Sequence, residues 1–172
     1  GTRRPRTDGP LVWVAPQFAL HQSLPVRATS QGIVAGDLAK EASDLGVPFI
    51  GIGLMYSRTL TRQRLMGHGM QQEAVEYIDW SDAPTHPARI GDGSDARVHV
   101  HVAGATIAAA VWEVRAGGSK VYLLDTNIPE NAAWDRDLSS RNCEGDRAAR
   151  LRQSILLASG AVELIERLET AP

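Results

Sequence analysis

Apolar positions along the chain switch between strand-like and helix-like spacing. "LVWVAP" at 11–16 is a short apolar run closed by proline, and it predicts a buried strand. "QFALHQSLPVRATSQ" follows with no period and reads as a loop. From Thr29 or Ser30 the spacing becomes helical, with Ile33, Val34, Leu38, Ala42 and Leu45 on one stripe. Either hydroxyl is suited to cap the free N–H groups of the first turn. Gly46 stops the helix and Pro48 follows it. "VPFIGIGLMY" is apolar at both parities, as in a parallel strand covered on both faces. Strand, helix and strand in this order predict a βαβ unit, right-handed if the strands share a sheet.

Further on, "TLTRQRLM" alternates and predicts a strand in a more polar setting. "WSDAPTHPARIGDGSDA" reads as a long connection. "RVHVHV", "TIAAAVWEVRA" and "KVYLLD" are separated by turns at Gly104 and Gly117-Gly118, which predicts an antiparallel meander. "TNIPENAAWDRDLSSRNCEG" is irregular, and a loop of that length is usually functional or partly disordered. The last segment is helical: Leu151, Ile155, Leu156, Ala158, Val162, Ile165 and Leu168 share a face, with Asp146 as the expected cap. The expected class is α/β, a largely parallel sheet joined to an antiparallel strand meander.

Composition narrows the function. The formal charge of −2 argues against a broad nucleic-acid surface. Residues 1–10 are basic and turn-rich and read as a disordered lead-in. No apolar run reaches membrane-spanning length, so no membrane partner is expected. The single cysteine, Cys143, fits a reducing, cytoplasmic location, and no base or cation pattern marks it as a nucleophile. His99 and His101 share a strand face, but no carboxylate or cysteine stands beside them at metal spacing. "GIGLMY" lies within a strand and lacks a third glycine, which argues against a dinucleotide fingerprint. Trp80 and Trp134 fall in loops, where they either join the core or stack on sugar rings.

Five stretches carry a family likeness in order: "QFALHQSLP", "GIVAGDLAKEASDLGVPFIGIGLMY", "RQRL...HGMQQE", "VYLLDTNIPEN" and "GDRAARLRQ". With them the chain resembles the N-terminal domain of the α-glucan phosphorylases. The resemblance implies a partial Rossmann-like domain of GT-B type, with 11–172 as a single incomplete domain. It implies phosphorolysis of α-1,4 glucans to glucose 1-phosphate across a cleft between two domains. Pyridoxal phosphate is the family's cofactor, carried by a lysine of the second domain. Lys40 and Lys120 are the lysines available here, and neither sits in that context. The cofactor is therefore not expected to bind this chain alone, and the chain is expected to be inactive alone. Expected partners are an α-glucan or phosphosugar, and a complementary phosphorylase chain or a second copy. The alternative is a non-catalytic module that binds glucan, phosphosugar or protein.

The same resemblance places candidate site residues. The family's S-G-G-L-G loop, set against phosphate and glucose, corresponds to Ala28-Thr29-Ser30-Gln31-Gly32. Ser30, Gln31 and Gly32 are the phosphate-binding candidates by position. A helix N-terminus offers free N–H donors and partial positive charge, but Ser30 and Gln31 replace a glycine and a leucine and would crowd an anion, so a hydroxyl-capped helix is expected over a working phosphate cradle. His21 stands in the loop that would line the cleft, with a sugar contact or a structural hydrogen bond as its two readings. "DLSSRNCEGD" corresponds to the family's gate, with Arg141, Asn142 and Cys143 at its tip; Arg141 is suited to a phosphate or sugar hydroxyl. Gln17 and Gln22 replace family glutamates, Ala19 a glycine, Arg27 a tyrosine and Met70 a tryptophan. Asp125 ends a strand, where it serves either a site or turn chemistry.

Overall fold

The computed structural model describes residues 9–24, 29–58, 62–67, 69–74, 77–141, 143 and 146–169. The disorder expected at 1–10 falls largely on residues outside that set, as do Arg27 and Asn142. The elements in chain order are β1 (Leu11–Val14), α1 (Ser30–Leu45), β2 (Phe49–Leu54), β3 (Arg62–Leu65), β4 (Gln71–Ala74), β5 (His86–Pro87), β6 (Arg97–Val102), β7 (Ala105–Ala116), β8 (Ser119–Asp125), α2 (Ala133–Arg136) and α3 (Arg147–Glu169).

The main sheet is mixed. β1 pairs in parallel with β2, Leu11 opposite Phe49, and β2 in parallel with β8, Ile50 opposite Lys120. β8 then turns antiparallel to β7, and β7 to β6. The expected βαβ unit and meander are therefore halves of one sheet, joined at β8. β5 is a short strand inside the predicted connection, paired with β7 at Trp112 and Glu113. Its Pro–Gly–Asp surroundings hide it from any periodicity. β3 and β4 form a separate antiparallel ribbon.

Two apolar layers cover the sheet. On one face Ile52, Leu54, Tyr122 and Leu124 meet Leu156, Leu157, Ala161 and Leu164 of α3. Full burial of each such leucine contributes about 2 kcal/mol. On the other, Phe49, Val121 and Leu123 meet Ala35, Ala39 and Ala42 of α1 and the ring of Phe18. A Cβ on Gly51 would lie 2.8 Å from the Phe18 ring, and one on Gly53 3.1 Å from it. The "GIG" glycines thus make room for Phe18.

The predicted stripe of α1 is overturned. Its buried face is Gly32, Ala35, Gly36, Ala39 and Ala42, while Ile33 and Val34 are 51% and 56% exposed. Only Ala42 belongs to both sets. The cause is close approach: Ala19 donates its N–H to Gly32 O at 2.9 Å, and a Cβ on Gly36 would stand 2.1 Å from Ala19 O. The small residues let the loop lie against the helix, and the large ones are turned outward. β1 departs likewise from the buried strand expected; Leu11, Trp13 and Val14 are all exposed at the sheet's edge. In α3, Leu151, Ala158 and Val162 are exposed, and the seam runs through Leu156, Leu157, Gly160, Ala161 and Leu164. Asp146 caps α3 as expected, accepting the Ala149 N–H at 3.0 Å. No helix among the described residues is long and apolar enough to cross a membrane.

Candidate functional site

A cavity of about 450 Å³ opens where β1 and β2 end and α1 begins. Parallel sheets place ligands at these carboxyl ends. Pro16 and Gln17 follow β1, Tyr56 follows β2, Thr29, Ser30 and Gln31 begin α1, and Arg150, Gln153 and Ser154 come from α3. The spacing of 150, 153 and 154 puts those three on one side of the helix.

Thr29 is the N-cap of α1, yet neither it nor Ser30 makes a side-chain capping bond. The capping reading is thus corrected. Thr29 points its own N–H away, to Gln17 Oε1 at 3.0 Å. Ile33 N–H is the first to close the helical ladder, onto Thr29 O at 3.0 Å. The N–H groups of Ser30, Gln31 and Gly32 therefore form the uncapped first turn, with its partial positive charge. Arg150 lines the same space and has no carboxylate partner among the described residues. This combination is suited to an anion.

The remaining candidates separate. His21 lies by another hollow, with Lys40, Ser43 and Arg115. Its Nδ1 contacts Ser23 Oγ at 2.9 Å and accepts the Ser23 N–H. The structure thus joins Ser30 and Gln31 in one cavity, with Gly32 buried just behind, and leaves His21 outside. Arg141 is exposed, and its carbonyl accepts a bond from Gln153 Nε2 at 2.9 Å, which ties the segment before α3 to the cavity wall. Gln153 Nε2 also donates to Leu138 O at 2.8 Å. Burial pushes the Cys143 thiol up, with Asp146 adding to the effect and Arg141 opposing it.

The "LLDTNIPEN" stretch proves to be a hydrogen-bonded clamp. Buried Asn131 accepts the Ala108 N–H at 3.0 Å and donates to Ala108 O and Thr126 O, both at 2.7 Å. Thr126 and Ser139 join their hydroxyls at 3.0 Å. The clamp fixes the path from β8 to Ser139. Sequence reasoning missed Arg150, Gln153 and Tyr56 as site residues. The signal was "GDRAARLRQ", whose Arg and Gln recur one helical turn apart.

No family model matches the chain. Individual proteins do. It is 39% identical over 159 residues to a glycogen phosphorylase of Aquifex aeolicus, covering 92% of this chain and 23% of that protein. It is 32% identical over 171 residues to a maltodextrin phosphorylase of Thermococcus litoralis, covering 99% and 21%. The chain corresponds to a segment of the glycogen and maltodextrin phosphorylases. A glycogen phosphorylase of Mycobacterium tuberculosis is 35% identical over 150 residues, 87% of this chain and 17% of that protein. The phosphorylase segment thus spans about a fifth of the length of these relatives.

Proposed function

We propose that this segment forms one wall of an α-glucan phosphorylase cleft, in a Rossmann-like half of GT-B type, and that the uncapped start of α1 with Arg150 receives the phosphate or phosphosugar. The observation that carries this reading is the first turn of α1, without a side-chain cap, opening beside an arginine that has no carboxylate partner among the described residues. Glucose 1-phosphate or inorganic phosphate would sit on the Gln31 and Gly32 N–H groups, with Gln153 and Tyr56 lining the same cavity. Titration of the labelled chain with phosphate is expected to move the Gln31 and Gly32 amide resonances. Arg150→Ala is expected to weaken that effect roughly tenfold. Amides unmoved by phosphate would remove the reading.

Phosphorolysis needs a second wall. Pyridoxal phosphate does not fit the residues here as a Schiff base. Lys40 is paired with Asp37 at 2.8 Å by the hollow of His21, and Lys120 opens β8 at the end away from the cavity. The purified chain is expected to release no glucose 1-phosphate from maltodextrin and phosphate.

A polypeptide partner is the second reading. Trp13, Val14 and Val34 line an apolar hollow beside β1, whose outer edge pairs with no other strand among the described residues. Complementary phosphorylase chain or second copy, the occupant would cover an apolar face that parallel sheets normally bury.

A further inference from the structure

Helix α3 carries two apolar faces. Leu156, Leu157, Ala161 and Leu164 pack on the sheet. On the other side Ala148, Leu151, Ile155, Ala158, Val162 and Ile165 recur at alternating steps of three and four residues, the spacing of a heptad stripe. Periodicity assigns most of this set to the core, yet the sheet takes the other face. Leu151 and Val162 are left 63% and 57% exposed. Ala148 and Ala158 are exposed as well, and Ile155 and Ile165 give only part of their surface to the core. The stripe runs for about 25 Å along the helix. A continuous exposed apolar surface of this kind marks a contact with another polypeptide.

Two features select a second copy of this chain as the occupant. The first is size. Set against itself in the opposite direction, the stripe pairs Ala148 with Ile165, Leu151 with Val162 and Ile155 with Ala158, so large and small residues share the layers. Set against itself in the same direction, it pairs alanine with alanine and isoleucine with isoleucine, which leaves gaps beside crowded layers. The second is charge. Arg147 and Arg152 stand in the first two turns of α3, and Glu163 and Glu166 in the last two. Antiparallel copies bring the basic end of each helix to the acidic end of the other, and they oppose the two helix dipoles. Parallel copies bring like ends together. The chain itself offsets part of this charge, since Arg152 pairs with Asp135 and Glu163 with Arg167 at 2.7 Å. An unrelated helix would need neither complementarity. A two-fold axis uses both, because it presents one surface to itself in reverse.

We propose that this chain forms a two-fold dimer through the outer stripe of α3, with the two helices antiparallel and the axis between Ile155 and Ala158. The contact depends neither on the anion-binding reading of the cavity nor on the hollow beside β1. The test is sedimentation equilibrium of the full chain from about 5 µM to 1 mM, a range suited to an interface this short. A monomer–dimer equilibrium is expected. Leu151→Glu and Val162→Lys are each expected to raise the dimer Kd at least roughly tenfold, with thermal melts showing that both variants fold. Combined in one chain, they are expected to restore the dimer to within about threefold of the wild type, because antiparallel pairing sets each new charge against the opposite one on the other copy. Eleven residues separate the two positions, too far for the charges to meet within one helix. Val34→Lys is expected to leave the Kd unchanged. The proposal is overturned if the wild type stays monomeric throughout, if both single variants dimerise as it does, or if the combined variant shows no recovery. Loss of the dimer on Val34→Lys with Leu151→Glu unaffected overturns it too, and places the contact beside β1. Should either single variant fail to fold, Ala158→Glu, also at an exposed position of the stripe, is expected to weaken the dimer to the same degree, and its failure to do so overturns the proposal.

Discussion

Gln17 shows how one side chain sets the first cavity. Its amide oxygen accepts the Thr29 N–H, and its side chain is buried. Gln17→Ala leaves that donor without an acceptor and is expected to cost about 1–2 kcal/mol in urea denaturation. Gln17→Glu keeps the acceptor but adds negative charge beside the first turn of α1, so it should weaken phosphate binding far more than stability. Cys143 is buried and its thiol is pushed up. Iodoacetamide should therefore label the native chain much more slowly than the urea-unfolded one, measured by mass. Asp125 titrates higher folded than unfolded. Its contribution to stability is complete below the ordinary aspartate value of about 3.9 and is lost as pH rises through the folded pKa. Asp125→Asn should therefore stabilise the chain at neutral pH, with the advantage vanishing in acid; thermal melts across pH check this.

At the scale of elements, α1 sets two effects against each other. Gly36→Ala gains about 1 kcal/mol of helix propensity. The new methyl would meet the Ala19 carbonyl oxygen at 2.1 Å, a contact with backbone that cannot rotate away. Overpacking of this kind costs about 1–3 kcal/mol, so the net change should be destabilising in a thermal melt. Helix existence was legible in the sequence, from Thr29 to the Gly46 stop, where φ is 64°. Which face is buried was not. Periodicity assigns the core to the largest apolar side chains, whereas the loop at Ala19 approaches too closely for any but small ones. The meander was legible because alternation and glycine turns are local. β5 was not, since two residues hold no period and pairing with β7 alone defines them.

The whole molecule presents Val34 of α1 beside Trp13 and Val14 of β1. Val34→Lys should change the stability of the isolated chain by less than about 0.5 kcal/mol, as an exposed substitution. It should abolish any concentration-dependent association seen in sedimentation, if that face is the contact. Unchanged association would place the contact elsewhere. The sequence by itself determined β1, α1, β2, the meander β6–β8 and α3, the Gly46 stop and the Asp146 cap, and the kinship to phosphorylases, because each depends on neighbours in the chain or on an ordered string of motifs. Tertiary structure alone decided that Arg150 and Gln153 stand across from Ser30 and Gln31, that His21 lies elsewhere, and that Trp112 and Asp125 share a cavity. Those juxtapositions join residues distant in sequence, and they follow from how the strand ends and helices meet rather than from any local pattern.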